Sequence, residues 1–120
     1  MVILFDQYNL PDSIYDVIFA TDQQKIVAEL LIKHIKQKKS SINKAEMSKF
    51  ATDLHEGKVS HEGKKISYNK RQFYDRILTP MKAMGILNYD MYKRTYSLSK
   101  NFAPAIQKIA EMWLEEYNKP

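Results

Sequence analysis

The 120-residue chain has no cysteine, three glycines, four prolines and one tryptophan. Without cysteine there can be no disulfide and no thiolate metal ligand, and a reducing cytoplasm is the expected location. No stretch approaches the roughly 20 apolar residues of a membrane span, so no membrane association is expected. The apolar opening Met1–Phe5 stops at Asp6 and is too short for a secretory core. Also missing are a glycine-rich phosphate loop, a nucleophile elbow and a metal-binding motif, so an enzyme is not expected. Asp75 and Asp90 stand as isolated carboxylates. His55 and His61, beside Glu56 and Glu62, match no standard ligand spacing and are expected in solvent. His34 is expected to offset a helix dipole. No cofactor, metal or small-molecule ligand is implied.

What the chain does have is one domain's length, 44% hydrophobic residues and a strongly uneven charge. Residues 1–24 hold Asp6, Asp12, Asp16 and Asp22 and no base. Residues 25–100 hold 17 bases against 7 acids, and residues 101–120 hold two lysines and three glutamates. Positive charge is thus concentrated in the middle. A phosphate backbone rewards such concentration by releasing counterions, although a solvated lysine-rich surface has the same composition.

Residues 1–20 read as an N-terminal extension packed on the core. Val2 to Phe5 suits a strand, and Pro11 suits the first turn of a short helix ending near Phe19. Thr21-Asp22-Gln23-Gln24 is a capping box opening a first clear helix, with Ile26, Val27, Leu30, Leu31 and Ile35 at helical spacing. Asn43-Lys44-Ala45-Glu46 opens a second, with Met47, Phe50, Ala51 and Leu54 inward and Gly57 as its stop. Residues 57–66 form a polar, basic connection. Ser67 caps a third helix with Phe73, Ile77, Met81 and Met84 inward. Pro80 should kink this helix by removing a backbone bond near Arg76, and Gly85 ends it. Leu87 and Tyr89, then Tyr96 and Leu98, alternate with polar residues as a two-stranded hairpin. A final helix runs from about Phe102 to Tyr117.

The order helix, helix, helix, hairpin, helix resembles the winged helix-turn-helix superfamily, the resemblance being carried by Ile42–Leu98 with Phe73–Leu87 its most distinctive stretch. The likeness is to small microbial or archaeal transcription regulators with an extra C-terminal helix. It implies a mainly α, α+β fold with a three-helix core and a two-stranded wing over 21–99, and a C-terminal helix over 100–120. The long 57–66 connection departs from the tight turn usual there.

The resemblance further implies binding to double-stranded DNA, the third helix entering the major groove and the wing lying on the flanking backbone or minor groove. With Ile77 at the centre of the buried face, Tyr68, Arg71, Gln72, Asp75, Thr79 and Lys82 fall opposite. Arg71 and Gln72 can pair with base edges. The expected contacts are Lys64, Lys65, Ser67, Tyr68, Asn69, Lys70, Arg71, Gln72, Thr79 and Lys82, with Tyr92, Lys93 and Arg94 at the wing tip. The last helix carries an apolar stripe through Ile106, Ile109, Trp113 and Tyr117. Packing on the core and a homodimer contact both account for it. Two functions fit this pattern: a DNA-binding transcription regulator, or a winged helix serving as a protein-interaction module in a transcription or replication assembly.

Overall fold

The computed structural model describes residues 11–120. The strand expected at Val2 to Phe5 lies outside them. The fold is mixed α+β. In chain order it contains α1 (Ile14–Ile18), α2 (Asp22–Gln37), β1 (Ser41–Asn43), α3 (Lys44–His55), β2 (Val59–His61) and β3 (Lys64–Ile66). A continuous helical segment over 70–84, called α4, follows in three stretches, Lys70–Gln72, Phe73–Leu78 and Thr79–Met84. The chain closes with β4 (Leu87–Asp90), β5 (Thr95–Leu98) and α5 (Phe102–Asn118).

The first helix begins later than Pro11 suggests. Ser13 caps α1, its side chain accepting from the Asp16 N–H. Phe19 enters the core, and Lys25 of α2 grips Asp16 at 2.8 Å. Thr21 caps α2 by accepting from the Gln24 N–H. The capping box of α3 is complete: Asn43 accepts from the Glu46 N–H at 2.7 Å, and Glu46 accepts from the Asn43 N–H at 3.2 Å. Two orphan donors at the start of α3 are thereby satisfied.

The sheet is larger than the expected hairpin. β4 and β5 pair antiparallel, and β1 adds to the outer edge of β5, giving the order β1-β5-β4. Ile42 lies opposite Tyr96 in that register, and both are buried. Residues 57–66 are likewise more than a connection. β2 and β3 form a separate hairpin, with Val59 opposite Ile66 and His61 opposite Lys64. Its two-residue turn has φ +51° at Glu62 and +78° at Gly63, the doubly positive geometry that matches strand twist.

The core lies between α2, α3, α4 and the three-stranded sheet. Leu31, Ile35, Met47, Leu54, Phe73, Ile77 and Met81 are essentially inaccessible. The start of α4 corrects the sequence expectation. Asn69, not Ser67, is the cap, its side chain accepting from the Gln72 N–H at 3.1 Å. Tyr68 and Phe73 then occupy the N′ and N4 positions of a hydrophobic staple, and both are buried.

Pro80 does not break α4. The helix widens into a π segment over Phe73–Leu78, and the Thr79 N–H reaches back five residues to the Tyr74 carbonyl. An ordinary α turn would require a donor at residue 80 for the Arg76 carbonyl, and proline has none. The wider turn also places Leu78 beside Ile77 in the core. Gly85, with φ +83°, ends the helix in the left-handed conformation. The last helix, α5, has no buried residue.

Candidate nucleic-acid interface

Two segments of the described structure carry the charged side chains of interest, the outer face of α4 and the tip of β4–β5. On α4, Arg71, Gln72, Asp75, Arg76, Thr79 and Lys82 are all exposed, opposite Phe73, Ile77, Leu78 and Met81. The Arg71 side chain is 92% exposed. Its guanidinium Nε lies 3.8 Å from Asp75 Oδ2, an i,i+4 ion pair in solvent.

Tyr68 does not belong to this face. It precedes the cap, is 5% exposed and sits in the core, where its N–H donates to the Leu54 carbonyl at 3.0 Å. It cannot meet a base edge without unfolding the start of α4. Lys70 is half-buried and already engaged: its Nζ donates to Thr52 Oγ1 at 3.0 Å and lies 3.4 Å from Ser48 Oγ. Its backbone N–H donates to His55 Nδ1 at 3.1 Å. His55, expected only to face solvent, therefore caps α4 from the end of α3. The Ser67 hydroxyl donates to the His55 carbonyl, and the Ser67 carbonyl accepts from Gln23 Nε2. Asn69 spends its side-chain oxygen on the cap. These residues position α4 more than they present chemistry. Lys82 stays exposed, but its Nζ lies 5.6 Å from the Tyr89 ring centroid and 5.9 Å from that of Tyr96.

The tip between β4 and β5 is built by Asp90. Its Oδ1 accepts from the N–H groups of Tyr92 at 2.9 Å and Lys93 at 3.0 Å. Those backbone donors, that of Lys93 first, hold the Asp90 carboxyl below its usual range. No partner for Asp90 is legible in the sequence, because its partners are backbone groups of a turn. Tyr92 is fully exposed. Arg94 adopts φ +54°, a conformation uncommon outside glycine and asparagine, and its carbonyl accepts from the Lys44 N–H at 3.0 Å. The tip is thereby fastened to the first residue of α3.

That contact brings in residues the sequence did not single out. A surface groove of about 460 Å³ is lined by Asn43, Lys44, Ala45, Ser48, Lys93 and Arg94. Three cations surround the N-terminus of a 12-residue helix, whose dipole adds to their field. Ser48 lines this groove and its Oγ lies 3.4 Å from Lys70 Nζ, so the groove adjoins the start of α4. The signal available for Lys44 was its place directly after the Asn43 cap.

Lys64 and Lys65 are exposed and do not line this groove. Directly opposed residues of a hairpin share a face, and Lys64 opposes His61. His61 lines a different groove of about 490 Å³ with Glu29, Lys33, His34 and Phe50 on the α2 side. There His34 stacks on Phe50, ring centroids 5.1 Å apart. Burial lowers its pKa, and Lys38 adds to the effect, which disfavours the charged form that would offset the helix dipole. Among the described residues no three His, Asp or Glu side chains could together hold a metal ion. No helix among them is long and apolar enough to cross a membrane.

Comparison with protein-family models, curated proteins and solved structures finds no match to this chain.

Proposed function

We propose that the chain is a winged-helix protein that binds double-stranded DNA and acts in transcription regulation. In this reading α2, α3 and α4 are the three-helix core, and β1-β5-β4 is the small sheet whose tip is the wing. α4 enters the major groove. The tip and the start of α3 lie on the flanking backbone.

The observation that carries the reading is the joined basic surface. Lys93 and Arg94 on the tip and Lys44 at the α3 N-terminus line one groove with Ser48, which Lys70 reaches from the start of α4, and Arg71 follows Lys70 in the chain on the open face. Two kinds of chemistry are arranged along it. Arg71 and Gln72, free of the core, suit paired hydrogen bonds to guanine and adenine edges. Lys44, Lys93 and Arg94, set around a helix N-terminus, suit phosphate oxygens. Three acids lie close by: Asp75 beside Arg71, Asp90 turned onto the backbone of its own loop, and Glu46 in the first turn of α3, its carboxylate held by the Asn43 N–H.

The test is a binding titration on duplex DNA at several salt concentrations. Each phosphate neutralised contributes about −0.9 to the slope of log affinity against log salt. Engagement of Lys44, Lys93 and Arg94 should give a slope near −3 from these residues alone. Absence of binding at low salt would refute the reading.

A further inference from the structure

The last helix poses a separate problem. α5 spans 17 residues, about 25 Å, and none is buried. Ile106, Ile109, Met112, Trp113, Leu114 and Tyr117 are between 47% and 73% exposed. Two aromatic and four aliphatic side chains at that exposure offer on the order of 600–800 Å² of surface on one short helix. The largest apolar patch of an ordinary monomer is about 300–600 Å². A stable protein interface buries about 800 Å² per partner. Met112 and Leu114 flank the stripe on opposite sides, so one helix partner covers the greater part of this surface, toward what one side of a stable pair needs.

From the placement of residues along α5 we infer that it pairs with α5 of a second copy of this chain, and that the two helices run antiparallel. Ile106, Ile109 and Trp113 follow one another at spacings of three and four, the seam of a helix pair. Two gradients along the helix set the direction. The first is size. Ala103, Ala105 and Ala110 fall in the N-terminal half, and Trp113 and Tyr117 in the C-terminal half. Antiparallel pairing lays Tyr117 of one copy over Ala105 of the other and Trp113 over Ile109, so that no ring meets a ring, the alternation that fills an interface. Parallel pairing stacks ring on ring and leaves gaps at the alanines.

The second gradient is charge. The C-terminal half holds Glu111, Glu115 and Glu116, and the N-terminal half holds Lys108 as its one charged residue. The helix has no acid in its first turn and no base in its last, although Lys119 just beyond it pairs with Glu116 at 3.1 Å. Three carboxylates toward a helix's own negative end are unfavourable for an isolated helix. Beside the positive end of an antiparallel partner the same carboxylates are favourable. Parallel pairing would place acid against acid. With Ile109 opposite the partner's Trp113, Ile106 lies opposite its Glu116, and the two-fold axis passes near Glu111.

The inference stands apart from DNA binding, and its test needs no DNA. Trp113 is the only tryptophan, so intrinsic fluorescence reports on the seam directly. On concentrating the full-length chain, its emission should shift to the blue as sedimentation equilibrium records a dimer. Trp113→Ala should raise the dimer dissociation constant about 30-fold or more, the effect of a central interface anchor, with far-UV dichroism unchanged. Direction is read from paired cysteine variants in the cysteine-free chain. Ile106→Cys and Glu116→Cys proteins, mixed and oxidised, should link to each other. Those positions would be about 15 Å apart along a parallel pair. Linkage of Ile106→Cys only to itself would overturn the antiparallel arrangement. A monomer at tens of micromolar would overturn the pairing itself. If that monomer's emission were already blue-shifted at every concentration, the cover would come from the same chain.

Discussion

Arg71→Ala separates base reading from phosphate anchoring, and its size can be worked from the side chain's surroundings. Arg71 is 92% exposed, and its recorded partner is Asp75, 3.8 Å away in an exposed i,i+4 pair. Such pairs are worth about 0.3–0.5 kcal/mol. The variant should therefore melt close to wild type, since neither the core nor the Asn69 cap is touched. Losing a paired hydrogen bond to one base costs about 1–3 kcal/mol of discrimination, or roughly 5- to 150-fold. The assay compares a duplex selected from a random pool with a scrambled duplex, at one salt concentration, by fluorescence anisotropy. Affinity for the selected duplex should fall by that factor while the scrambled duplex changes little. Asp75→Asn should strengthen both, because a carboxylate is removed from beside the guanidinium and from the path of the phosphates. If Arg71→Ala weakened both duplexes equally, Arg71 would be an anchor and α4 would not be the reading element. If it weakened neither, the outer face of α4 would lie outside the interface.

Three further outcomes follow from the same geometry. Tyr68→Ala removes a buried ring at the start of α4 and should cost about 3–5 kcal/mol in denaturant unfolding; a wild-type midpoint would place the ring in solvent. Lys93→Ala and Lys44→Ala should each weaken all duplexes alike and reduce the salt slope by about one unit, and an unchanged slope for Lys44→Ala would remove α3 from the contact. Because burial lowers the pKa of His34, the folded chain resists the proton that the unfolded chain accepts near pH 6.5. Stability from this group is complete above that pH and declines below it. Melting temperatures at about pH 7.5 and about pH 5.5 should differ less for His34→Gln than for wild type, and an equal difference would refute the assignment.

What the sequence made legible depended on signals spanning several residues. The α3 capping box was readable because Asn43 and Glu46 satisfy each other across one turn, and the apolar phase that follows agrees with it. Gly85 was readable because a left-handed cap tolerates few other residues. The start of α4 was misplaced because Ser67 and Asn69 are both good caps, two positions apart. That shift carried Tyr68 from the core to the expected interface. β1 and the β2–β3 hairpin were missed for another reason. Each strand has three residues, β1 sends only Ile42 inward, and the Glu62-Gly63 turn lacks the Asn or Asp that usually marks this geometry. Pro80 signalled a disturbance but not its form, since a break and a widened turn both answer a missing donor. Lys44 became part of the candidate surface only through the carbonyl of Arg94, fifty residues away.

The β2–β3 hairpin has ends that are held independently of its contents. The Leu54 carbonyl receives the N–H of Gly57 on one side and of Tyr68 on the other, so the chain leaves and returns at nearly one point. The closure is made by α3 and the approach to α4. Lengthening an excursion whose ends are already pinned costs little, about 0.6 kcal/mol per doubling. The turn at Glu62-Gly63 is therefore a natural port in the molecule. A foreign peptide or a fluorescent label placed there would hang from the helical core while leaving the α3–α4 junction closed.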